Sequence, residues 1–339
     1  MALQKTVMDA YVSILKEELL TAMGCTEPIS IAYAAAILRK ELAEQPWKVE
    51  AKLSGNIIKN VKSVIVPATG GLHGIEAAIA AGIIAGCPEK QLAVLTDLPE
   101  NAKNEMRTFL QTCAFSLEEM ESEHTFDLLL TAYADEKVAS VHIQCSHVNV
   151  VSVLIDGADV TEKYLVRCET GDQVHTDRSV LNVEDIITFA DNVELDVLRE
   201  DLYRQIGMNM AIAEEGLQGD YGACIGKVLY AGGKASLRDK ARAFAAAGSD
   251  ARMSGCEMPV CILSGSGNQG ITASVPVIVY GREMGVTEDV LLRALIVADL
   301  ITIHQKTGIG CLSAYCGAKH HAVPDCGASY LPSRRTPPA

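Results

Sequence analysis

The thiol of Cys25 is the most reactive side chain that the sequence places in a defined local context, Gly24-Cys25-Thr26-Glu27-Pro28. A helix is expected to begin here, because Thr26 is a good N-cap residue and Pro28 is tolerated in a first helical turn. Free N–H groups and the positive end of a helix dipole stabilise a thiolate and lower the pKa of a cysteine at such a position. The sequence therefore predicts a reactive thiolate at Cys25. A small buried side chain without a chemical role is the alternative.

A glycine-rich segment that follows the apolar run of residues 258–263 is the second chemical signal. It reads Ser264-Gly265-Ser266-Gly267-Asn268-Gln269-Gly270. Glycines let backbone N–H groups converge on an anion, and the serine, asparagine and glutamine side chains add donors suited to a substrate carboxylate. We therefore predict a substrate-binding loop, with a structural turn as the alternative. Its predicted contacts are Ser264, Ser266, Gly267, Asn268 and Gln269.

The same segment matches the G-x-G-x-x-G pattern of dinucleotide sites, so a nucleotide-dependent oxidoreductase is an alternative function. Such a site needs a βαβ unit with an acidic residue at the end of its second strand. Here Pro276 interrupts the next apolar run, and Glu288 and Asp289 begin a predicted helix instead. The context therefore disfavours the nucleotide interpretation.

Cysteine thiolates are the usual ligands of iron-sulfur clusters, and the chain has 11 cysteines. Cys311 and Cys316 lie five residues apart, with Cys326 nearby and Cys256 upstream. This spacing is neither C-x-x-C nor a ferredoxin pattern, so spacing alone predicts no cluster.

Other polar residues carry less specific signals. Asn56 and Asn60 lie in or beside a predicted loop, where they could line a pocket or satisfy backbone groups. For an unplaced histidine a structural role is favoured over a catalytic one. This applies to His73, His147 and His304.

Helices at both ends of the chain and strands in the middle are expected to position these residues. Helical apolar spacing covers residues 6–20, 186–190, 195–213, 240–247 and 290–302, with further alanine-rich helices from Thr26 and Ile75. Strands are predicted on both sides of a loop at residues 54–56 within 47–66, and over 138–145 and 148–155, with a hairpin at Asp156-Gly157. The predicted fold class is α+β.

Two lobes and a tail follow from this order of elements. We expect a mostly helical catalytic lobe formed by residues 1–45 and 185–318, and a sheet-containing lobe formed by residues 46–184. Residues 319–339 have neither helical nor strand periodicity and are predicted to form an aberrant, frayed tail.

Composition limits the classes of function. A chain of 339 residues with 49% hydrophobic and 21% charged residues is typical of a compact globular protein. The net charge of −14 without clustered Lys and Arg argues against nucleic acid as a partner. The first residues lack a signal-peptide pattern and no apolar run approaches about 20 residues, so we expect a cytoplasmic protein without a membrane partner. A small-molecule substrate is expected, and assembly into a homo-oligomer is left open.

Six motifs in a fixed order resemble one known family. They are Gly24-Cys25-Thr26-Glu27-Pro28, Ser54-Gly55-Asn56-Ile57-Ile58-Lys59-Asn60, Ala247-Gly248-Ser249-Asp250-Ala251-Arg252-Met253, Ser264-Gly265-Ser266-Gly267-Asn268-Gln269-Gly270, Ile303-His304-Gln305-Lys306-Thr307-Gly308 and Cys316-Gly317-Ala318. On these residues the chain resembles the L-cysteine desulfidase family, the serine dehydratase alpha-chain-like proteins of UPF0597 type. The resemblance runs from the N-terminus to about Ala318.

The resemblance implies a lyase that converts L-cysteine to sulfide, pyruvate and ammonia with a [4Fe-4S] cluster, and L-serine ammonia-lyase is the alternative. It implies that Cys25 is the base that removes the substrate α-proton and that Cys316 is the first cluster ligand. Thr26, Glu27 and Asn56 are predicted substrate contacts. The family's other two ligands lie in a motif of the form I-C-D-G-A-K-x-G-C, which this sequence lacks.

The sequence is expected to depart from the family after Ala318. A truncated or frameshifted reading frame would explain that departure and would leave the cluster incompletely ligated. A non-catalytic remnant of the fold is therefore a further alternative. The sequence also predicts that Cys25 and the segment 264–270 face one shared cavity.

Overall fold

A computed structural model describes residues 3–96, 98–99, 101–165, 176–231, 236–308 and 324–333. The chain divides into two compact units. One comprises Met1–Ala22 and Val174–Ala339 and is here called the helical unit, and the other comprises Met23–Gln173 and is called the sheet unit. The predicted α+β class, with a mainly helical part built from both chain ends and a sheet in the middle segment, is confirmed.

The regular elements are numbered in chain order. The helices are α1 (Lys5–Glu18), α2 (Thr26–Leu42), α3 (Gly55–Val61), α4 (Ile75–Ala85), α5 (Ala102–Thr112), α6 (Val183–Asn192), α7 (Arg199–Gln218), α8 (Ile225–Tyr230), α9 (Leu237–Met253), α10 (Gly267–Met284), α11 (Glu288–Thr307) and α12 (Pro324–Ser333). The strands are β1 (Thr21–Met23), β2 (Lys48–Leu53), β3 (Ala114–Glu119), β4 (Asp127–Tyr133), β5 (Val138–Gln144), β6 (Val150–Ile155), β7 (Ala158–Asp159) and β8 (Pro259–Cys261).

The sheet unit contains a mixed sheet with the strand order β3-β2-β4-β5-β6-β7. β2 and β3 are parallel, and the other neighbours are antiparallel. The turn between β6 and β7 has positive φ at Asp156 (50°) and Gly157 (82°), as the predicted Asp-Gly hairpin requires.

Helix α2 lies between this sheet and helix α4, which explains why it is buried on nearly all sides. The strands alternate, so Leu128 and Leu130 of β4 and Val141 and Ile143 of β5 are buried. An apolar, alanine-rich sequence suits a helix in such a position because small side chains allow close approach on both faces. The sheet and α4 thus fix the path of the helix that begins just after Cys25.

One predicted strand in this unit is wrong. Residues 55–61 form α3, and the predicted loop at residues 54–56 is the start of that helix. Ser54 is extended, with φ −61° and ψ 147°, and its hydroxyl donates to the carbonyl of Thr125 at 2.9 Å. Ile57 and Val61, four residues apart, are fully buried. A short apolar run does not distinguish a strand from a helix by periodicity, and packing selected the helix here.

The helical unit has one apolar core shared by its helices. Helix α9 packs on α7, α8 and α10, and α11 packs on α10 and α6. Tyr11 of α1 meets Phe189 of α6 edge to face, with ring centroids 5.3 Å apart. The helices predicted in these segments are confirmed, although α7 begins at Arg199 after a short 3₁₀ turn at Leu195–Val197. None of the helices in the described ranges is long and apolar enough to cross a membrane.

The prediction of an irregular tail is wrong for residues 324–333, which form α12. Tyr330 and Leu331 are buried in the core of the helical unit, and the Tyr330 hydroxyl donates to the Asp191 carboxylate at 2.5 Å. Tertiary packing therefore specifies a helix where local periodicity is weak, and Pro324 suits a first helical position.

The two units differ from the predicted lobes over residues 23–45 and 174–184. The first segment lies in the sheet unit because α2 packs on α4, β4 and β5. The second lies in the helical unit, where the Arg178 guanidinium pairs with the carboxylates of Glu17 and Glu18 on α1 at 2.6 and 2.9 Å.

Candidate active site

In the sheet unit, Cys25 follows a turn at Gly24 that has positive φ. Gly24 has φ 67°, a conformation that residues with a Cβ rarely adopt. A Cβ at this position would lie 2.1 Å from Cγ of Pro67. Glycine is therefore required at residue 24 for two independent reasons. The turn and Pro67 together set the direction in which the next residue enters α2.

Cys25 is the N-cap of α2, so the sequence prediction of Thr26 as the cap is wrong by one residue. The Cys25 backbone is extended (φ −82°, ψ 130°), and Thr26 is the first helical residue. Cys25 is only 7% exposed. The predicted location of its thiol at a helix N-terminus is confirmed, and the dipole of this 17-residue helix favours negative charge there.

The Cys25 thiol donates to Oε2 of Glu27, with Sγ and Oε2 2.9 Å apart. The same carboxylate oxygen accepts from the Thr26 hydroxyl at 3.2 Å, and Oε1 accepts from Nδ2 of Asn60 at 3.2 Å. Glu27 thus accepts a hydrogen bond from the thiol, and two further donors hold its orientation. The structure brings the predicted residues Cys25, Thr26 and Glu27 together.

Asn60 joins this group and Asn56 does not hydrogen-bond to it. Both lie on α3, four residues apart. Both were expected to line a pocket or to satisfy backbone groups, and only Asn56 was predicted to contact the substrate. Residues four apart share one face of a helix, so their spacing in the sequence would have indicated that Asn60 lies on the same face as Asn56.

The predicted substrate loop in the helical unit is partly a helix. Ser264 and Gly265 form a turn with φ 47° and 73°. Ser266 is the N-cap of α10, and its hydroxyl accepts from the backbone N–H of Gln269 at 3.4 Å. The expectation of a loop through Gly270 is therefore wrong, because Gly267, Asn268 and Gln269 form the first helical turn. The backbone N–H groups at this end still face outward from the helix, as an anion site requires.

The dinucleotide alternative is contradicted by the element order. Helix α10 continues through the buried Pro276 to Met284 and is followed directly by α11, and residues 267–308 are all described. No second strand follows the glycines in this range, so they are not part of a βαβ unit.

Arg252, in the last turn of α9, lies against the first turn of α10. Its Nη1 donates to Oδ1 of Asn268 at 3.1 Å. A Cβ on residue 267 would lie 2.3 Å from the arginine Nε, so only glycine permits this approach. Arg252 is 3% exposed and Gln269 is 1% exposed. The arginine Nε and both amide atoms of Gln269 have no hydrogen-bond partner within the described chain.

A second buried polar cluster lies deeper in the helical unit. Asn209 of α7 accepts from the backbone N–H of Cys261 at 2.9 Å and donates to the Ser274 hydroxyl at 2.9 Å. Gln205 donates to Oδ1 of Asp299 at 2.9 Å. Burial raises the pKa of Asp299 to about 7 and the pKa of the Cys261 thiol to about 12. Asn209 of this cluster links α7 to β8 and α10, and β8 packs on both helices.

The described residues do not provide the thiolates that an iron-sulfur cluster needs. They contain no group of three or more His, Cys, Asp or Glu side chains placed to hold a metal ion. The predicted ligand Cys316 lies outside the described residues. The cluster remains a prediction of the resemblance.

A surface cavity of about 210 Å³ in the sheet unit contains none of the predicted site residues. Its lysines are paired, with Lys40 to Glu89 at 2.5 Å and Lys163 to Glu41 at 2.9 Å. It is lined by Tyr33, Lys40, Pro88, Glu89, Gln91, Lys163, Tyr164 and Leu165.

The predicted site residues therefore form two groups, one in each unit. The first is the thiol with its carboxylate partner at the start of α2, and the second is the start of α10 with Arg252 beside it. The shared cavity between them stays a prediction.

A model of the serine dehydratase alpha chain matches residues 89–328. The chain belongs to the serine dehydratase alpha-chain family. The resemblance predicted from the motifs is thereby confirmed, and the match continues past Ala318, where the sequence was expected to depart from the family.

Relatives named UPF0597 proteins extend the family match to nearly the whole chain. One from Desulfitobacterium hafniense is 47% identical over 314 residues, which is 93% of this chain and 73% of that protein. One from Treponema denticola is 43% identical over 323 residues, 94% of this chain and 75% of that protein. Membership in the serine dehydratase alpha-chain family supports lyase chemistry on an amino acid.

Proposed function

We propose that this chain eliminates sulfide from L-cysteine by the β-elimination expected of an L-cysteine desulfidase, with Cys25 as the base. The observation that carries the proposal is the 2.9 Å contact between the Cys25 thiol and the Glu27 carboxylate at the N-terminus of α2. Family membership supports the same class of reaction.

In the proposed reaction Glu27 first accepts the thiol proton, which leaves a thiolate at Cys25. The thiolate removes the α-proton of the substrate, the Cα–H electrons form the Cα=Cβ bond, and the Cβ–S bond breaks. The proton held by Glu27 passes to the departing sulfide, so Cys25 and Glu27 return to their starting states. The 2-aminoacrylate product tautomerises to an imine, which water hydrolyses to pyruvate and ammonia.

The environment of Cys25 favours this role. A general base works best when a positioned partner accepts its proton and its environment stabilises its charged form. Glu27 supplies the acceptor, Asn60 and Thr26 hold it, and the positive end of α2 offsets the negative charge of the pair.

Binding of the substrate carboxylate is assigned to the start of α10, where Ser266, Asn268 and the first-turn N–H groups lie. The steps above use only side chains of this chain, and the predicted cluster ligand Cys316 lies outside the described residues.

The test is a product assay on the purified protein, with and without anaerobic incubation with iron and sulfide. L-cysteine should yield sulfide and pyruvate in equal amounts. Cys25→Ala should lower the rate about 10²–10⁴-fold, the usual contribution of a general base. Cys113→Ala is the matched control, because Cys113 is a buried thiol of the same unit whose pKa burial raises to about 11. An unchanged rate in Cys25→Ala would overturn the proposal.

L-serine is the second candidate substrate, favoured by the name of the matching family, serine dehydratase alpha chain. The same proton transfers would then expel the β-hydroxyl group instead of sulfide. The ratio of kcat/KM for L-cysteine and L-serine decides between them. A larger value for L-serine would assign the chain as an L-serine ammonia-lyase.

A further inference from the structure

Arg252 is a buried cation whose positive charge has no acidic partner among the described residues. Its side chain is 3% exposed, and the ion pairs of the described chain do not include it. Charged side chains are rarely buried without a counter-charge, because their removal from water costs several kcal/mol. An arginine side chain keeps its charge in proteins, so neutralisation does not remove this cost.

The two helix ends beside Arg252 do not supply the missing negative charge. Arg252 lies in the last turn of α9, where the helix dipole contributes about half a negative charge. It also lies against the first turn of α10, which contributes about half a positive charge. The two contributions largely cancel. One full positive charge therefore remains beside the N–H groups of the α10 N-terminus.

Neutral hydrogen-bonding groups beside this charge also lack partners. Both amide atoms of Gln269 are buried and have no partner within the described chain. Asn268 accepts from the guanidinium through Oδ1, which leaves its amide donors available. Ser266 and Asn268 are partly exposed, so the start of α10 is open to a small molecule.

We propose that Arg252 provides the counter-charge for the substrate carboxylate at the N-terminus of α10, and that the enzyme thereby selects α-amino acids with a free carboxylate. This deepens the proposed function and rests on it for the identity of the ligand. Gly267 is part of the same carboxylate site, because a side chain at this position would push the Arg252 guanidinium away from the helix. Arg252 is a binding residue in this account, and Cys25 performs the proton transfer.

A binding experiment that involves no turnover tests this. L-alanine has the carboxylate and amino groups of the substrate but no leaving group, and L-alaninamide lacks the negative charge. Titration calorimetry should show L-alanine binding to the wild-type protein and no comparable binding of L-alaninamide. Arg252→Gln should weaken L-alanine about tenfold to a hundredfold, the value of a charge-assisted contact. Arg282→Gln, an exposed arginine of α10, should bind L-alanine as the wild type does.

Thermal unfolding separates a ligand site from a structural ion. If Arg252 binds a ligand and does not stabilise the fold, Arg252→Gln without ligand should unfold at a temperature no lower than the wild type. Only the stabilisation that L-alanine gives should be lost. Gly267→Ala keeps the charge but displaces it, so it should also weaken L-alanine. If Arg252→Gln does not fold, Arg252→Lys and Gly267→Ala provide the test.

Equal L-alanine affinity in the wild type, Arg252→Gln and Gly267→Ala would overturn the inference, as would equal binding of L-alaninamide or no binding of L-alanine by the wild type. The Cys25→Ala variant should bind L-alanine normally. Loss of elimination with intact binding therefore tests the proposed function apart from the carboxylate site.

Discussion

The N-termini of α2 and α10 have the same construction but differ in charge. Each follows a turn with positive φ, at Gly24 in one and at Ser264 and Gly265 in the other. The α2 terminus carries its own carboxylate, Glu27, within hydrogen-bonding distance of Cys25. The α10 terminus has no acidic residue in its first turn and a buried arginine beside it. The first thus contains its own negative charge, and the second has a buried positive charge without an acidic partner among the described residues.

Removing the carboxylate at α2 tests this difference most directly. Glu27→Gln should lower kcat about 10- to 10²-fold, because the thiol loses its proton acceptor. The remaining activity should rise with pH, because the thiol must then lose its proton to the solvent before it can act as a base. The measurement is the pH dependence of kcat for the two proteins.

Glu76→Gln is the control for this change, since Glu76 lies in the first turn of α4 in the same unit. It removes an acidic residue from a helix start without touching Cys25. If Glu27→Gln and Glu76→Gln both leave kcat and its pH dependence unchanged, the contact between Cys25 and Glu27 is structural.

Altering the turn before α2 should affect stability more than altering a turn of similar backbone geometry elsewhere. Gly24→Ala combines strain at φ 67° with a contact of 2.1 Å to Pro67, and Gly285→Ala has φ 63° with no atom within 4 Å. We expect a loss of about 3 kcal/mol in the free energy of unfolding for the first and about 1 kcal/mol for the second. Urea denaturation measures both. Equal losses would show that Pro67 moves aside and does not set the entry into α2.

Asp299 is a buried group of the helical unit that can change its charge with pH. Its folded pKa is raised to about 7 by burial, against about 3.9 in an unfolded chain. Between these values the folded protein holds one more proton than the unfolded protein. Stability should therefore fall as pH rises from about 4 to about 7, by at most about 1.4 kcal/mol per pH unit, and the loss should be complete above that range.

Asp299→Asn should remove this part of the pH dependence, whereas Asp289→Asn, an exposed residue of the same helix, should retain it. The measurement is the free energy of unfolding at pH 5 and pH 8. A decline of the same size in Asp299→Asn and the wild type would show that another group is responsible. A confirmed effect would strengthen the contrast with Arg252, for which the proposed counter-charge comes from a ligand.

The sequence predicted those parts of the fold that local rules determine. The position of Cys25 at a helix start, the helix from Ile75 and the turn at Asp156-Gly157 follow from capping, alanine content and turn chemistry. Helices α3 and α12 were not predicted, because their helical conformation depends on the burial of Ile57, Val61 and Leu331 against distant segments.

The candidate site divides in the same way. Cys25, Thr26 and Glu27 are adjacent in the sequence, so their grouping could be predicted. Asn60 and Arg252 reach their partners through helix packing, and a single sequence does not specify such contacts.

The parallel pairing of β2 with β3 has a consequence for the order of folding. Strands β4 to β7 pair with their neighbours along the chain, whereas β3 meets β2 only after residues 54–113 have crossed over. Pairings between distant segments lose more chain entropy and form later. Helix α3, with Asn60, lies in that crossover. We therefore expect the meander of β4 to β7 to gain protection from hydrogen exchange first, and the carboxylate beside Cys25 to be locked in place among the last events of folding.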